Sequence, residues 1–123
     1  MFRFRKFPVY NDARQYRMDL KEFSEQRFPK SVRFTLTDQL WRALNSVILN
    51  IAEGSRKYSD LEFSKYLNNA LTSLDECVAC LDCALDDNYI AKDDHAYWLD
   101  RSEKLSRQLS AFSSKVRKDA KKR

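Results

Sequence analysis

The sequence predicts an all-α fold, specifically an antiparallel up-down-up-down four-helix bundle. Its 123 residues include one glycine and two prolines, which leaves little of the turn chemistry that hairpin-rich β folds need. Apolar residues recur at three- and four-residue steps in four separate stretches, as they do on one face of a helix. A chain of this length suits one domain with a single core. We therefore expect a bundle over residues 9–116, preceded by an N-terminal arm (1–8) and followed by a basic tail (117–123).

The first two helical patterns are joined by a short connection. The first runs from Val9 to Phe23 and stops before Pro29, because the residue that precedes a proline disfavours helical geometry. The second begins near Thr35, whose hydroxyl is expected to cap the helix, and carries apolar residues as far as Ile51. Each pattern offers one apolar stripe to the core.

The stretch "NIAEGSRK" contains Gly54, the only glycine of the chain. We expect it to end the second helix in the left-handed conformation, which glycine adopts without a steric penalty. On this interpretation Gly54→Ala costs about 1 kcal/mol or more, through the positive φ of residue 54. Arg56 and Lys57 then lie just before the positive end of the third helix, a favourable place for a phosphate.

The third and fourth patterns begin with strong helix-start signals. The third opens with a capping box from Ser59 to Glu62, and its broad apolar stripe runs to Leu85, so we expect this helix to pack on two sides. The fourth begins near Lys92, with two aspartates in its first turn that favour the helix dipole. Its apolar residues alternate in steps of three and four as far as Val116, a spacing typical of the seam of a helical bundle.

Three cysteines and the single histidine are the candidates for metal or catalytic chemistry. Cys77, Cys80 and Cys83 form C-x-x-C-x-x-C, a spacing that also occurs in iron–sulfur and zinc sites. Here the motif lies inside a helical pattern, whereas ligand motifs usually wrap a loop around the metal, so we expect reduced thiols that pack as small apolar side chains. His95 has no nucleophile or paired base beside it in the sequence. We expect no enzyme, no catalytic residue, no metal and no cofactor.

Positive charge is concentrated at the two ends of a chain whose net charge is +5. The arm "FRFRKF" interleaves phenylalanines with cations, which suits stacking on bases and contacts to phosphates, and the tail "KVRKDAKKR" suits phosphate neutralisation. The alternative interpretation is that the tail complements a helix dipole while the phenylalanines fold back on the bundle. The predicted nucleic-acid-binding residues are Arg3, Arg5, Lys6, Arg56, Lys57, Lys115, Arg117, Lys118, Lys121, Lys122 and Arg123.

The second helix carries a surface beyond its core stripe. At about 100° per residue, a set of polar side chains falls opposite the core face, with apolar residues in the same sector and at the edge of the core face. This apolar area exceeds what one seam requires, so we expect contact with another helix or another subunit. The predicted oligomer interface consists of Trp41, Arg42, Ser46, Leu49, Asn50 and Glu53.

The segment "LTDQLWRALNSVILNIAEGSRKYSDLEFSKYLNNALTSLDE", from Leu36 to Glu76, resembles the four-helix-bundle proteins encoded by intervening sequences in bacterial 23S ribosomal RNA genes. Its most specific part is "NIAEG" with its flanks. The first helix with its "RFP" exit and the "NYI" at residues 88–90 also fit, so the resemblance covers most of the chain.

The resemblance implies an antiparallel bundle that assembles into a ring, typically a homopentamer, with no known catalytic centre. Proteins similar to this family include the accessory variability determinant of diversity-generating retroelements, a basic pentameric bundle that binds nucleic acid and its reverse transcriptase. The two basic ends of the present chain favour this nucleic-acid-binding branch.

The sequence therefore predicts a non-enzymatic, ring-forming homo-oligomer that binds RNA or DNA through basic surfaces, with an accessory role to a reverse transcriptase as one form of this function. The alternative is a purely protein-binding or structural oligomer with no specific nucleic-acid role. No apolar run approaches the roughly 20 residues that span a bilayer, and "MFRFRKFPV" lacks the apolar core of a secretion signal. We thus expect a cytoplasmic protein with no membrane partner.

Overall fold

The computed structural model describes residues 1–121 and contains four α-helices. Within these residues there is no strand, and none of the helices is both long and apolar enough to cross a membrane. The predicted all-α fold with four helices is confirmed. The helices are α1 (Pro8–Arg27), α2 (Leu36–Gly54), α3 (Asp60–Asp86) and α4 (Lys92–Lys121), with short 3₁₀ turns at Arg3–Lys6 and Lys30–Val32.

Neighbouring helices run antiparallel. α2 packs on both α1 and α3, and α4 packs on both α3 and α1. The α3–α4 pair shows the direction, because Asp82 contacts His95 near one end of the bundle while Phe63 contacts Phe112 near the other. As a result, the N-terminal arm, the α2–α3 connection and the last turns of α4 lie at one end, and the α1–α2 and α3–α4 connections lie at the opposite end.

The core is built from the apolar stripes of all four helices. Leu20, Leu40, Leu67 and Leu109, one from each helix, have no exposed surface. Burying a side chain of this size stabilises the fold by about 1.5–3 kcal/mol. α3 contributes buried residues toward both α2 and α4, so the prediction that its broad stripe packs on two sides is confirmed.

A buried polar contact ties α1 to α4. The hydroxyl oxygens of Tyr16 and Ser102 are 2.7 Å apart, and Ser102 Oγ also donates to the carbonyl of Trp98 at 2.6 Å. The Tyr16 ring meets the Trp98 ring edge-on, at 5.8 Å between centroids. Burial raises the pKa of the Tyr16 hydroxyl. The phenol therefore stays neutral and serves as a fixed hydrogen-bonding group inside the core.

The start of α3 follows its prediction and the start of α2 does not. Ser59 Oγ accepts a hydrogen bond from the backbone N–H of Glu62 at 3.1 Å, as the capping box requires. Thr35 makes no capping hydrogen bond, so that prediction is wrong. The chain enters α2 from the preceding 3₁₀ turn, and the Thr35 hydroxyl donates backwards to the carbonyl of Val32 at 3.3 Å.

The second helix ends at Gly54 as predicted, but the predicted left-handed conformation of this residue is wrong, because its φ is not positive. α2 includes Gly54, and Ser55 follows in right-handed geometry with φ −63° and ψ −19°. A Cβ atom at position 54 would lie 2.6 Å from Cβ of Tyr66 and 2.9 Å from Cδ1 of Phe63. The glycine is thus required for space, since it lets the end of α2 approach the start of α3.

Among residues 1–121, the residue in the left-handed region is Asn88, just after α3, with φ 62°. The N–H of Tyr89 donates to the carbonyl of Ala84 at 2.8 Å, and the N–H of Asn88 donates to that of Leu85 at 3.0 Å. These two bonds form the Schellman motif that satisfies the last carbonyls of a helix. The backbone thereby turns into the connection that leads to α4.

Candidate nucleic-acid interface at one end of the bundle

Three segments that are distant in sequence meet at one end of the bundle. The Phe7 ring connects them, because its centroid lies 6.1 Å from that of Phe63 at the start of α3 and 5.0 Å from that of Phe112 near the end of α4. We call this end, formed by residues 1–7, 55–59 and 115–121, the basic end. Nine of the eleven predicted nucleic-acid-binding cations lie there, and the other two, Lys122 and Arg123, lie outside the described residues.

Arg3 fastens the N-terminal arm to the bundle. Its Nε and Nη2 atoms donate to the backbone carbonyl of Ser55 at 3.2 and 2.8 Å. Its guanidinium carbon lies 5.9 Å from the centroid of the Phe7 ring and 5.5 Å from that of Phe63. These contacts place a positive charge at the carbonyl end of α2, where the helix dipole favours it. Arg3 therefore has an intramolecular role, and its contact with nucleic acid stays a prediction.

The rest of the arm divides into an inner and an outer set of side chains. Phe4 and Phe7 are half-buried against the bundle, as the alternative interpretation of the phenylalanines expected. Phe2 is 54% exposed. Arg5 and Lys6 are exposed, and neither forms an ion pair within residues 1–121. The cations of the arm that remain available to a polyanion are thus Arg5 and Lys6, with Phe2 beside them.

The α2–α3 connection presents two cations and an aromatic ring. Arg56 is exposed, and the Tyr58 side chain is fully exposed. The Lys57 ammonium lies 4.8 Å from the centroid of the Tyr66 ring. The Tyr66 hydroxyl, and after it nearby carboxylates, raise the pKa of Lys57, so this side chain carries its charge throughout the physiological range.

The last turns of α4 complete the basic end. Val116 is buried at 7% exposure and anchors these turns to the core, so the helix continues through residues 117–121 of the predicted tail. Carboxylates are fewer at this end than cations, which leaves an excess of positive charge. The exposed cations on these turns are Lys115, Arg117, Lys118 and Lys121.

Half of the predicted oligomer-interface residues are half-buried within their own chain. Trp41 Nε1 donates to Ser24 Oγ on α1 at 3.0 Å. Ser46 Oγ lies 2.7 Å from Ser73 Oγ on α3, and Asn50 Nδ2 donates to the Ser46 carbonyl at 2.8 Å. Ser46 thus contacts a neighbouring helix of the same chain, α3. Contact of these residues with a second subunit stays a prediction.

The other half of the predicted interface faces outward. Leu49 is 62% exposed and lies beside the half-buried Ile48, while Glu53 is exposed. Arg42 is exposed and forms an ion pair with Asp38, one turn earlier, at 3.0 Å. The outer surface of α2 thus combines an apolar centre with charged residues toward its two ends.

The cysteines and the histidine do not form a site within the described residues. Cys77 and Cys80 are buried in the core and Cys83 is exposed; burial raises the pKa of the Cys80 thiol to about 11. His95 Nε2 lies 2.7 Å from Oδ1 of Asp82 on α3, a partner that the sequence did not indicate. Across residues 1–121, no cluster of three or more histidine, cysteine and carboxylate side chains is arranged to hold a metal ion.

Sequence comparison identifies the family. Residues 5–111 match the model of the 23S rRNA-intervening sequence protein family. The chain belongs to this family. No curated protein matches the sequence of this intervening-sequence protein. A solved structure of a protein of unknown function from the S23 ribosomal protein family of Bacteroides thetaiotaomicron is 20% identical, with a TM-score of 0.72 over 85% of this chain and 97% of that one. At this identity the likeness shows a shared fold.

Two exposed aromatic residues were not singled out by sequence reasoning. Tyr58 lies at the basic end, and Phe34, which is 85% exposed, lies at the opposite end of this intervening-sequence protein. Each follows a basic residue, in "RKY" and "VRF", and so repeats the basic–aromatic pairing that marks the N-terminal arm. That pairing was the available signal, but helical periodicity gives no information about residues in short connections.

Proposed function

We propose that this intervening-sequence protein is a non-enzymatic homo-oligomer that binds nucleic acid, RNA in the first instance, through its basic end. One observation carries the proposal. The three basic segments, the first and last of which are more than a hundred positions apart in sequence, meet at the same end of the bundle, where Phe7 packs against both α3 and α4. Clustered lysines and arginines bind a phosphate backbone by releasing its counterions, whatever the base sequence.

The side chains at the basic end suit a single strand. The exposed cations of its three segments can contact successive phosphates of a flexible single-stranded nucleic acid, while Phe2 and Tyr58 offer rings on which bases can stack. Phosphate contacts and base stacking of this kind do not depend on the order of the bases. We therefore expect strong salt dependence and little sequence preference.

The outer surface of α2 supports the oligomer part of the proposal. Leu49 and its neighbour Ile48 form an apolar centre that a second copy could cover. A homopentameric ring, as the family resemblance implies, would present five basic ends and strengthen weak phosphate contacts through multivalency. A reverse transcriptase is the protein partner that the same resemblance suggests, and it belongs to this proposal as a second binding partner.

The alternative function is a protein-binding or structural oligomer whose cations serve only solubility and the helix dipoles. It is favoured by Arg3, whose charge is directed to a helix end within the chain. The two functions differ in their response to salt. Binding to RNA should weaken steeply with ionic strength, whereas docking of an apolar helix face should not.

The test is fluorescence anisotropy with a labelled single-stranded RNA, measured over a series of salt concentrations. One variant combines Lys115→Gln, Arg117→Gln and Lys118→Gln at the basic end. A matched variant combines three neutralisations at exposed cations outside the basic end and outside the predicted oligomer interface, at Lys92, Lys104 and Arg107, so both variants lose the same formal charge. The slope of log K against log salt is negative. If each lost cation removes one phosphate contact, this slope should become less steep by about 2 for the basic-end variant, and the control should keep the wild-type slope.

If the two triple variants lose the same amount of RNA affinity, the net charge of the protein, and not the basic end, governs binding. Absence of binding at low salt would favour the alternative function. A labelled DNA of the same sequence, measured in parallel, distinguishes RNA from DNA as the preferred polyanion.

Oligomerisation is tested separately by light scattering at micromolar concentration. Leu49→Glu should dissociate the oligomer while helicity is kept, because the side chain is largely exposed within one chain. Leu61→Glu, at a position that is 55% exposed on α3, is the matched control. A monomeric wild-type protein would contradict the oligomer. Trp41→Glu is a less suitable variant, because it also breaks the contact with α1.

A further inference from the structure

A cleft at the end opposite the basic end has no role in the proposed function. It lies between the last turn of α1, the α1–α2 connection and the first turns of α2, and its volume is about 580 Å³. This volume falls within the roughly 300–1,000 Å³ of small-molecule sites. Its walls include the aromatic residues Phe28, Phe34 and Trp41 and the cations Lys30 and Arg33.

The Arg33 guanidinium lies between two aromatic rings of this cleft. Its central carbon is 4.3 Å from the centroid of the Trp41 ring and 5.2 Å from that of Phe34. Its Nη1 atom is buried, and within the described residues it has no hydrogen-bond partner. A buried charged donor without an acceptor is costly, so an incoming anion that accepts from Nη1 would gain that missing interaction.

The rings of the cleft differ in how firmly they are held. Phe28 is 6% exposed, and Trp41 is fixed by the hydrogen bond from its Nε1 atom to Ser24. Phe34 is 85% exposed, although its ring lies over the guanidinium. The cleft thus has two aromatic walls held by packing or by a hydrogen bond, and a third ring at its mouth that is largely exposed.

The charge of the cleft favours an anion. Arg33 and Lys30 contribute two positive charges, against the single carboxylate of Glu25. A neutral aromatic ligand would leave the Arg33 donor unpaired, and an inorganic anion would leave Phe34 exposed. A ligand that satisfies both features has a flat ring and an anionic group.

We propose that the cleft binds a small planar organic anion, an aromatic ring that carries a carboxylate or phosphate group. The anionic group accepts from the Arg33 guanidinium, with Lys30 at the rim. The ring of the ligand stacks on Phe34, which rotates to uncover Nη1. This site is independent of nucleic-acid binding at the basic end, so failure of one proposal leaves the other standing.

The test is a titration of the 123-residue chain, monitored by calorimetry and by tryptophan fluorescence excited at 295 nm. The two tryptophans of the chain are Trp41, in the cleft, and Trp98, which is 4% exposed in the core. The probes are phenyl phosphate, benzoate and adenosine monophosphate, compared with inorganic phosphate and neutral benzyl alcohol. We expect at least one ring-bearing anion to bind about ten-fold more tightly than either comparator. The ranking of the three anions identifies the preferred anionic group and ring.

Two variants locate the binding. Phe34→Ala and Arg33→Gln should each weaken it by about ten-fold or more, whereas Phe2→Ala and Arg56→Gln, matched changes at the basic end, should not. Phe34→Ala keeps the test valid even if Arg33→Gln unfolds, because an exposed side chain contributes little to the core. The proposal is overturned if no ring-bearing anion binds at millimolar concentration, if inorganic phosphate binds equally well, or if Phe34→Ala leaves the affinity unchanged.

Discussion

Replacing Gly54 with alanine tests whether the glycine serves space or conformation. Position 54 has an ordinary right-handed backbone, so the added methyl group meets no conformational barrier. It does meet α3, because the new Cβ atom would lie 2.6 Å from Cβ of Tyr66. That neighbour is fixed to the α3 backbone, and no rotation of the Tyr66 side chain can move it.

The size of the effect follows from two opposing terms. Overpacking of this kind costs about 1–3 kcal/mol, since α2 and α3 must separate locally. Alanine in place of glycine within a helix gains at most about 1 kcal/mol. We therefore expect a net loss of about 1–2 kcal/mol in the free energy of unfolding, which corresponds to a decrease in Tm of roughly 4–8 °C.

The assay is urea unfolding followed by circular dichroism, with three variants beside the wild type. Gly54→Asn separates the two explanations, because asparagine tolerates the left-handed conformation but is larger than alanine. If space is limiting, Gly54→Asn should be less stable than Gly54→Ala. Ala111→Gly, at an exposed position of α4, measures the helix-propensity term alone.

The opposite order would refute this reasoning. A Gly54→Asn protein more stable than Gly54→Ala would mean that backbone conformation decides the residue. A Gly54→Ala protein as stable as the wild type would mean that the two helices have room to adjust.

Four further predictions concern stability and reactivity. Arg3→Gln should lower the free energy of unfolding by about 1–2 kcal/mol in urea titrations, through loss of two charge-assisted hydrogen bonds, while Arg5→Gln, at an exposed neighbour, should not. Asn88→Ala should cost about 1 kcal/mol because of the positive φ, and Asn88→Gly should cost nothing; equal effects in thermal unfolding would contradict the left-handed cap. Cys83 should react with a thiol reagent at once and Cys80 only on unfolding. Burial raises the pKa of the folded Cys80 thiol to about 11, so above about pH 9 the unfolded thiol loses its proton first. The free energy of unfolding should therefore fall as the pH rises from 9 toward 11. Cys80→Ala should reduce that fall.

Local signals predicted most helix boundaries of this intervening-sequence protein. Ser59 caps α3 as its capping box indicates, and Pro29 follows the end of α1. The failures at Thr35 and Gly54 have a common cause. A threonine before a helix can cap it or can belong to the preceding turn, as Thr35 does. A glycine can supply a left-handed conformation or simply a small side chain, as Gly54 does. In both cases the packing of neighbouring segments decides which role the residue has.

The candidate site was predicted in its residues but not in its arrangement. The sequence marks the cations of the arm, of the α2–α3 connection and of the C-terminal segment as three separate groups. It gives no sign that Arg3 would donate to Ser55, since that contact spans 52 positions. Likewise, the exposed position of Leu49 and the engagement of Ser46 with Ser73 depend on which side of α2 faces α3.

The sequence alone determined the fold class, the four helices and the composition of the core, because helical periodicity, capping residues and apolar spacing act over a few residues and are visible in a linear chain. The tertiary structure decided where the charges gather and which residues are in contact. Antiparallel packing brings the arm, the α2–α3 connection and the end of α4 to one end, and it places Arg33 between Trp41 and Phe34 at the other. Such arrangements arise from the choice of neighbouring helix and from the close approach that Gly54 permits, and neither is encoded in any short segment.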